Sequence, residues 1–327
     1  MTATPAVACC GAEQQAERAT STMPTVDIIT PAYNAARFLP VAIDSVIAQT
    51  FQDWRILLID DGSTDDTEAV VAPYLDRLGP KLLYIKQSNA GLPAARNAAI
   101  RASTAEFLAL LDADDIWLPS RLEESLKSFQ SDPEIGMSYG FVSRVDQNGT
   151  VIDTFTNAQK HGQGWIAPYI YMRMVDLPCP TIMFRRQCID QVGFFDETLR
   201  ATEDRDLWLR LALKYKVALA PHLIAHYRVS AASMTTDPYR MLSAQLRFIE
   251  KHYGSPGCGW MARRVALARI YKQLAEALEA RRQRWGALKS AMRALLLNPL
   301  DARNARTAAS LLLRLPGRPR SSRPATT

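Results

Sequence analysis

Four apolar runs of strand length punctuate the first third of this chain, at residues 26–30, 55–59, 82–85 and 106–111. Helical spacing fills the stretches between them. Phe38, Val41, Ile43, Val46 and Ile47 recur on one side after the first run. Val70, Val71 and Leu75 follow the N-cap chemistry of Thr64, Asp65 and Asp66 after the second, and residues 93–102, rich in Ala and Arg, follow the third. Strands that are apolar throughout are buried on both faces, and the alternating helices supply the cover. The pattern predicts an α/β fold: βαβ units forming a mixed, mostly parallel sheet flanked by helices.

Two of the runs end in acids. Asp60-Asp61-Gly62-Ser63 closes one and Asp112-Ala113-Asp114-Asp115 the other. In an open α/β sheet, ligands bind outside the carboxyl ends of the strands. Carboxylates crowded there repel one another unless a cation or hydrogen-bond donors join them. Taken alone, Asp60-Asp61-Gly62 also has the composition of a common turn. Three acids in four residues exceed what capping requires for the next helix, which has Pro119 in its first turn and Leu122, Leu126 and Phe129 on one side. Mg2+ and Mn2+ take oxygen ligands, and Mg2+ is usually held by one or two carboxylates plus substrate phosphates. An EF-hand beginning at Asp112 is excluded by Trp117 at the sixth position, where glycine is required. Neither the P-loop nor the dinucleotide fingerprint is present. Phosphate would therefore be held through a metal, and the expectation is an enzyme handling a nucleotide and a divalent cation.

Further candidates lie beyond these clusters. Glu203-Asp204-Arg205-Asp206 heads a helix expected over 203–214, with Leu207, Trp208 and Leu211 on one side. A carboxylate there could serve as general base, although acids in a first helical turn also simply complement the macrodipole. His226 offers an imidazole to a metal, or a structural ring beside a strand, and Arg228 offers a guanidinium to a phosphate. Arg96, beside a loop with Lys86 and Asn89, is a similar candidate for a diphosphate. The remaining strands are expected at 135–145, 178–186, 217–220 and 224–229, with a turn at 147–150.

From about Asp237 the pattern is helical. Leu267, Tyr271, Leu274 and Leu278 form one stripe; Trp285, Leu288, Met292, Leu295 and Leu296 form another. Residues 261–327 hold 15 Lys or Arg against three acids, so the rest of the chain is acidic although the whole carries +6. Such an end suits an anionic partner, lipid headgroups or nucleic acid being the usual ones. Residues 1–23 lack the regions of a signal peptide and read as a disordered leader; 316–327, rich in Pro, Arg and Ser, read as a disordered basic tail. No apolar stretch approaches the roughly 18 residues of a membrane span. Five cysteines without metal spacing fit buried thiols in a reducing compartment.

Together the segments Thr30-Pro31-Ala32-Tyr33-Asn34, Asp60-Asp61-Gly62-Ser63-Thr64-Asp65, Ala95-Arg96-Asn97, Asp112-Ala113-Asp114-Asp115, Gly193-Phe194-Phe195-Asp196-Glu197 and Glu203-Asp204-Arg205-Asp206 resemble, in order and spacing, the inverting family 2 glycosyltransferases of the GT-A fold. The resemblance covers residues 24–235, and a C-terminal helical region is expected over 236–315. It implies that Tyr33 and the backbone around Pro31 and Ala32 line the nucleobase pocket, and that Asp61 hydrogen-bonds the base, usually uracil. Asp112 would contact the ribose or reach the metal through water, Asp114 would bind the Mn2+ or Mg2+ bridging the donor diphosphate, and Asp204 would be the general base. The implied partners are a nucleotide-sugar donor and a saccharide or lipid-linked acceptor in cell-surface polysaccharide or glycoconjugate synthesis. The implied place is cytoplasmic, with the basic helices against the inner membrane leaflet and no nucleic-acid partner. The processive synthases of that family carry a membrane span and a Gln-x-x-Arg-Trp segment near the site. Neither stands in the equivalent place here, so one sugar per encounter is expected.

Two other readings compete. A nucleotidyltransferase also places acids after a parallel strand, but needs a Gly-rich basic loop after its first strand, where this chain has Pro31-Ala32-Tyr33-Asn34. A non-catalytic nucleotide-sugar binder or scaffold could use the tail, in which residues 287–299 resemble part of a tetratricopeptide repeat.

Overall fold

The computed structural model describes residues 24–155, 162–199, 201–229 and 237–313. The expected leader at 1–23, the tail at 316–327 and the boundary at 235/236 lie outside the described residues.

The first half alternates as the periodicity predicts: β1 (Val26–Ala32), α1 (Leu39–Ile47), β2 (Trp54–Asp60), α2 (Thr67–Leu78), β3 (Leu82–Lys86), α3 (Leu92–Ala102) and β4 (Phe107–Leu110). β1 lies parallel between β2 and β4, and β3 is parallel to β2. Side chains alternate across the sheet. Ile28, Ile56, Leu58 and Ala109 meet Leu39, Ala42 and Ile43 of α1 on one face; Ile29, Leu57, Leu108 and Leu110 meet Ala95, Ala99 and Ile100 of α3 on the other. Full burial of each larger aliphatic side chain stabilises by roughly 2 kcal/mol.

Beyond β4 come β5 (Ile116–Trp117), α4 (Arg121–Gln130), β6 (Ile135–Val145), β7 (Val151–Phe155), α5 (Ala167–Tyr171), β8 (Met183–Arg185), α6 (Gln187–Val192), α7 (Glu203–Ala212) and β9 (Lys216–Arg228). The strand order is β3-β2-β1-β4-β8-β6-β9-β5, with β7 beside β6. β8 runs antiparallel to both β4 and β6, so the sheet is parallel in its first half and mixed beyond. Two strands expected at 217–220 and 224–229 are one. Pro221 and His222 drop out of register where β6 passes from Gly140 to Phe141, and pairing resumes at Leu223. A proline cannot donate to a ladder, so it sits where the ladder is irregular. Pro119 precedes the N-cap Ser120 of α4 instead of standing in its first turn. The stretch expected as a strand over 178–186 opens with a single helical turn, Cys179–Thr181, before β8.

Four helices follow: α8 (Pro238–Lys251), α9 (Trp260–Ala280), α10 (Arg284–Leu297) and α11 (Ala302–Leu313). Asp237 caps α8 by accepting from the Tyr239 backbone N–H at 3.0 Å. Phe248, Ile249, Ala266, Leu267 and Ile270 join the core of the sheet, whereas Leu274, Ala275 and Leu278 form a smaller core with α10 and α11. The stripe expected on α9 is inward. The one expected on α10 is split: Leu288 and Leu295 are half-buried against the small core, Trp285, Met292 and Leu296 are exposed, and Ala287, Ser290, Ala291 and Ala294 are buried. Small side chains let α9 and α10 approach closely, so Trp285, Met292 and Leu296 are displaced outward. Among the described residues, no helix is long and apolar enough to cross a membrane.

Candidate active site

The loops after β1 and β2 are tied together. Asn34, at φ 49°, accepts from the Thr64 N–H at 2.8 Å, and its own N–H donates to Ser63 Oγ at 2.9 Å. The N–H groups of Ala35 and Ala36 donate to Thr67 Oγ1 and Asp65 Oδ2. Asp60 accepts from Ser63 N at 2.8 Å and Tyr84 Oη at 2.6 Å. Burial alone would raise its pKa, yet these hydrogen bonds hold it below the usual value. Asp61 Oδ1 accepts from Gln87 Nε2 at 2.7 Å and Ala90 N at 2.9 Å, and Oδ2 from Gly91 N at 2.8 Å. Gly62 has φ +78°, and a Cβ there would lie 2.8 Å from Asn89 N, so only glycine fits between the strands of this brace.

The loop after β4 is less well supplied. Arg96, buried on α3, donates through Nη2 to both oxygens of Asp112 at 2.7 and 2.9 Å, and through Nη1 to Glu203 Oε1 at 3.5 Å. Burial would lower its pKa, but Asp112 and then Glu203 hold it up, so the guanidinium stays charged. Asp114 is pushed up to about 6 by burial and then by Asp112. Asp115, fully buried, accepts from Arg228 N at 2.9 Å through Oδ1 and has no partner for Oδ2. Burial, Asp114 and Asp112 raise its pKa well above the ordinary value.

A second brace positions the acids of α7. Asn97 donates to the carbonyl of Phe195 and accepts from its N–H, fixing the 193–197 loop on α3. Two residues beyond Asp204, Asp206 is buried; it binds Arg210 and Lys251, and lies 2.8 Å from His252 Nε2. Burial would raise its pKa, but His252, Lys251 and Arg210 hold it far below the usual range. Anchored there, α7 presents its first turn toward the loop after β4. Glu203 is buried with Oε2 unpartnered, and burial followed by the neighbouring Asp204 pushes its pKa to about 7.

These elements enclose a cavity of about 1170 Å³. Of the residues singled out in the sequence, Pro31, Tyr33, Arg96, Asp112, Asp114, Glu203, Asp204 and Arg228 line it; Ala32, Asp61 and His226 do not. Tyr33 is 54% exposed. Arg96 faces carboxylates, and Arg228 donates to the carbonyls of Asp114, Asp146 and Gln147 at 2.8, 2.9 and 2.9 Å, so both guanidiniums are engaged with protein. His226 pairs with Ile116 in the sheet, its Nδ1 has no partner, and burial lowers its pKa. Other wall residues bore no mark of a site in the sequence, among them Phe38, read there only as part of a helical face, Tyr139, Phe141, Cys179 and Met241 of α8. Scattered over four segments, they carry no motif.

Among the described residues, no group of three or more His, Cys, Asp or Glu could hold a metal by itself. The donor set instead fits a hard cation that draws its remaining ligands from a substrate. Asp114 is a carboxylate strained by burial at the cavity wall, Asp112 stands beside it, and the Oδ2 of Asp115 just behind is a buried oxygen with no partner from protein.

The cavity lies at the carboxyl ends of parallel strands and is walled by acids, the arrangement of a ligand site in an α/β enzyme. The family model described as glycosyl transferase family 2 matches residues 27–192, half of the chain, and the chain belongs to that family. An uncharacterized glycosyltransferase of Nostoc sp. is 31% identical over 65% of this chain and 69% of its own length. The Escherichia coli UDP-Glc:alpha-D-GlcNAc-diphosphoundecaprenol beta-1,3-glucosyltransferase WfgD is 28% identical over 75% of this chain and 89% of its own. Among solved structures, S. aureus TarS in complex with UDP-GlcNAc superposes with TM-score 0.60 at 16% identity, over 88% of this chain and 90% of that one. The Pyrobaculum calidifontis mannosyltransferase PcManGT, in complex with GDP-Man and Mn2+, gives 0.58 at 20% identity, over 90% and 82%. These likenesses show the fold, which is GT-A.

Proposed function

We propose that this glycosyltransferase moves a sugar, with inversion, from a UDP-sugar to a hydroxyl of a saccharide or lipid-linked acceptor during synthesis of a cell-surface polysaccharide or glycoconjugate. The observation that carries the reading is that Asp114 and Asp204 face one cavity, with Tyr33 exposed in its wall. The substrates in WfgD's name support a UDP-sugar donor and a diphosphate-linked acceptor, and the TarS complex supports UDP. PcManGT supports a divalent cation.

In this reading Pro31 and Tyr33 pack on the nucleobase. Asp61, expected on the base itself, is buried off the cavity wall with three hydrogen bonds from protein, so it braces the loop beside the base instead of binding it. Arg96 holds Asp112 in place to meet the ribose. Asp114 holds Mn2+ or Mg2+, which when bound neutralises the diphosphate leaving group as a Lewis acid. Asp204 takes the proton of the acceptor hydroxyl, making it a better nucleophile. Arg96 also reaches Glu203, so one guanidinium fixes the distance between the nucleotide side and the base side of the site. Attack from the face opposite the diphosphate inverts the anomeric carbon. The enzyme works on the cytoplasmic side, peripheral to the inner leaflet.

Assay of UDP release and acceptor glycosylation over a panel of UDP-sugars, with and without Mn2+, tests this. Cation-dependent release is expected. Asp204→Asn should lower transfer by about 10²–10⁴-fold while changing donor affinity by less than about twofold. A wild-type protein that binds a UDP-sugar yet releases no UDP in any condition is a binding module, and the proposal fails.

A further inference from the structure

The outward side of α10 carries an unusual row. Trp285, Lys289, Met292 and Leu296 are spaced four, three and four residues apart, so they stack on one side of the helix, opposite the buried Ala287, Ala291 and Ala294. Trp285 is 66%, Met292 43% and Leu296 71% exposed, and Leu300, just past the helix, is 94% exposed. The row is about 16 Å long. Large apolar side chains aligned and uncovered on a soluble surface mark something that normally covers them.

Charge selects the cover. Residues 261–313 carry eleven Lys or Arg against three acids. Lys289 stands within the row itself and is exposed. Arg282 and Arg284 flank Trp285 around a shallow pocket of about 390 Å³. At the opposite end, Arg264 donates to the carbonyls of Leu296 and Leu297 at 3.0 Å and lies 5.0 Å over the exposed ring of Trp260. An apolar row with Trp285 at one end, Lys289 within it, and Trp260 of α9 stacked on Arg264 beside the other end matches an anionic lipid interface, where indoles sit at headgroup depth and each nearby cation gains from the surface potential.

We propose that this side of α10 is the membrane-docking surface, seating on anionic phospholipid with Trp285, Met292 and Leu296 in the headgroup region and Lys289 against lipid phosphate. The proposal rests on the peripheral placement proposed above and assigns it to one helix face. Lipid contact is made by side chains remote in sequence from every residue placed in the cavity, so docking and chemistry are separable.

Co-sedimentation of the full chain with phosphatidylcholine vesicles, with and without phosphatidylglycerol, tests it, with UDP release measured alongside. Wild-type protein should bind the anionic vesicles, more weakly at high salt, and scarcely bind the neutral ones. The double variant Trp285→Glu, Leu296→Glu should bind anionic vesicles at least about tenfold more weakly, with unchanged Tm and UDP release. Lys289→Glu should weaken binding in the same direction and covers the case in which the double variant fails to fold. If the variants bind like wild type, or wild type ignores anionic vesicles while still releasing UDP, this surface is wrong and the transfer reading stands. If the double variant instead turns a dimer into a monomer with vesicle binding intact, a second copy covers the row and the proposal is overturned. Vesicle binding without UDP release would leave this face standing and sink the transfer reading instead.

Discussion

The two acidic loops occupy equivalent places, each at the carboxyl end of a strand that flanks β1 in parallel. Their environments are opposite. Asp60 and Asp61 accept five hydrogen bonds from protein, three of them from backbone N–H groups. Around Asp112, Asp114 and Asp115, protein supplies one buried guanidinium and a backbone N–H to carboxylate oxygens, and two of the three acids are pushed toward the neutral form. Similar composition thus does two jobs. A carboxylate surrounded by its donors organises loops; one left short of them is organised for a partner.

Substitutions should separate the loops. Asp61→Ala strands the N–H groups of Ala90 and Gly91 and should destabilise by about 3 kcal/mol or more in urea unfolding. A cost under about 1 kcal/mol would erase the contrast. Glu203, linked to the second loop through Arg96, sharpens it through pH. Its folded pKa, about 7, lies above the ordinary 4.5, so its ionisation opposes folding. Below about pH 4.5 the group is protonated in both states and exacts no penalty, whereas above about pH 7 the penalty is complete, at about 3 kcal/mol. Glu203→Gln should therefore gain on wild type by about that amount as pH rises from 4.5 to 8, measured by urea unfolding at each pH. A constant difference would mean that burial is not straining this acid. The smallest effect is expected at Gly62→Ala, about 1–2 kcal/mol from the left-handed backbone and the approach to Asn89, with donor affinity changed less than stability.

The parallel half of the sheet was legible because strands buried on both faces leave uninterrupted apolar runs, and the acids that stop them mark the carboxyl ends. Crowding of the acids predicted strain at Asp114, and in the structure burial raises its pKa first and Asp112 second. That Arg96 would turn to Asp112 and Glu203, and Arg228 to three carbonyls, could not be read, because charge complementarity names no partner until the chain is folded. β5, two residues long, and the short α5 and α6 have too few residues to establish a period. β9 was split by Pro221, which the sheet accommodates by slipping register. On α10 alanines make the closest helix contact, so of the large apolar residues in the expected stripe only Leu288 and Leu295 turn inward and Trp285, Met292 and Leu296 do not.

The central claim is that Asp114 holds a cation for the donor diphosphate, and calorimetric titration of a UDP-sugar into wild type and Asp114→Asn, each with and without Mn2+, tests it most directly. Wild type should bind the donor at least about tenfold more tightly with Mn2+, and Asp114→Asn should lose that gain while unfolding at the same or a higher temperature. Donor affinity that responds to Mn2+ equally in both proteins would contradict the account.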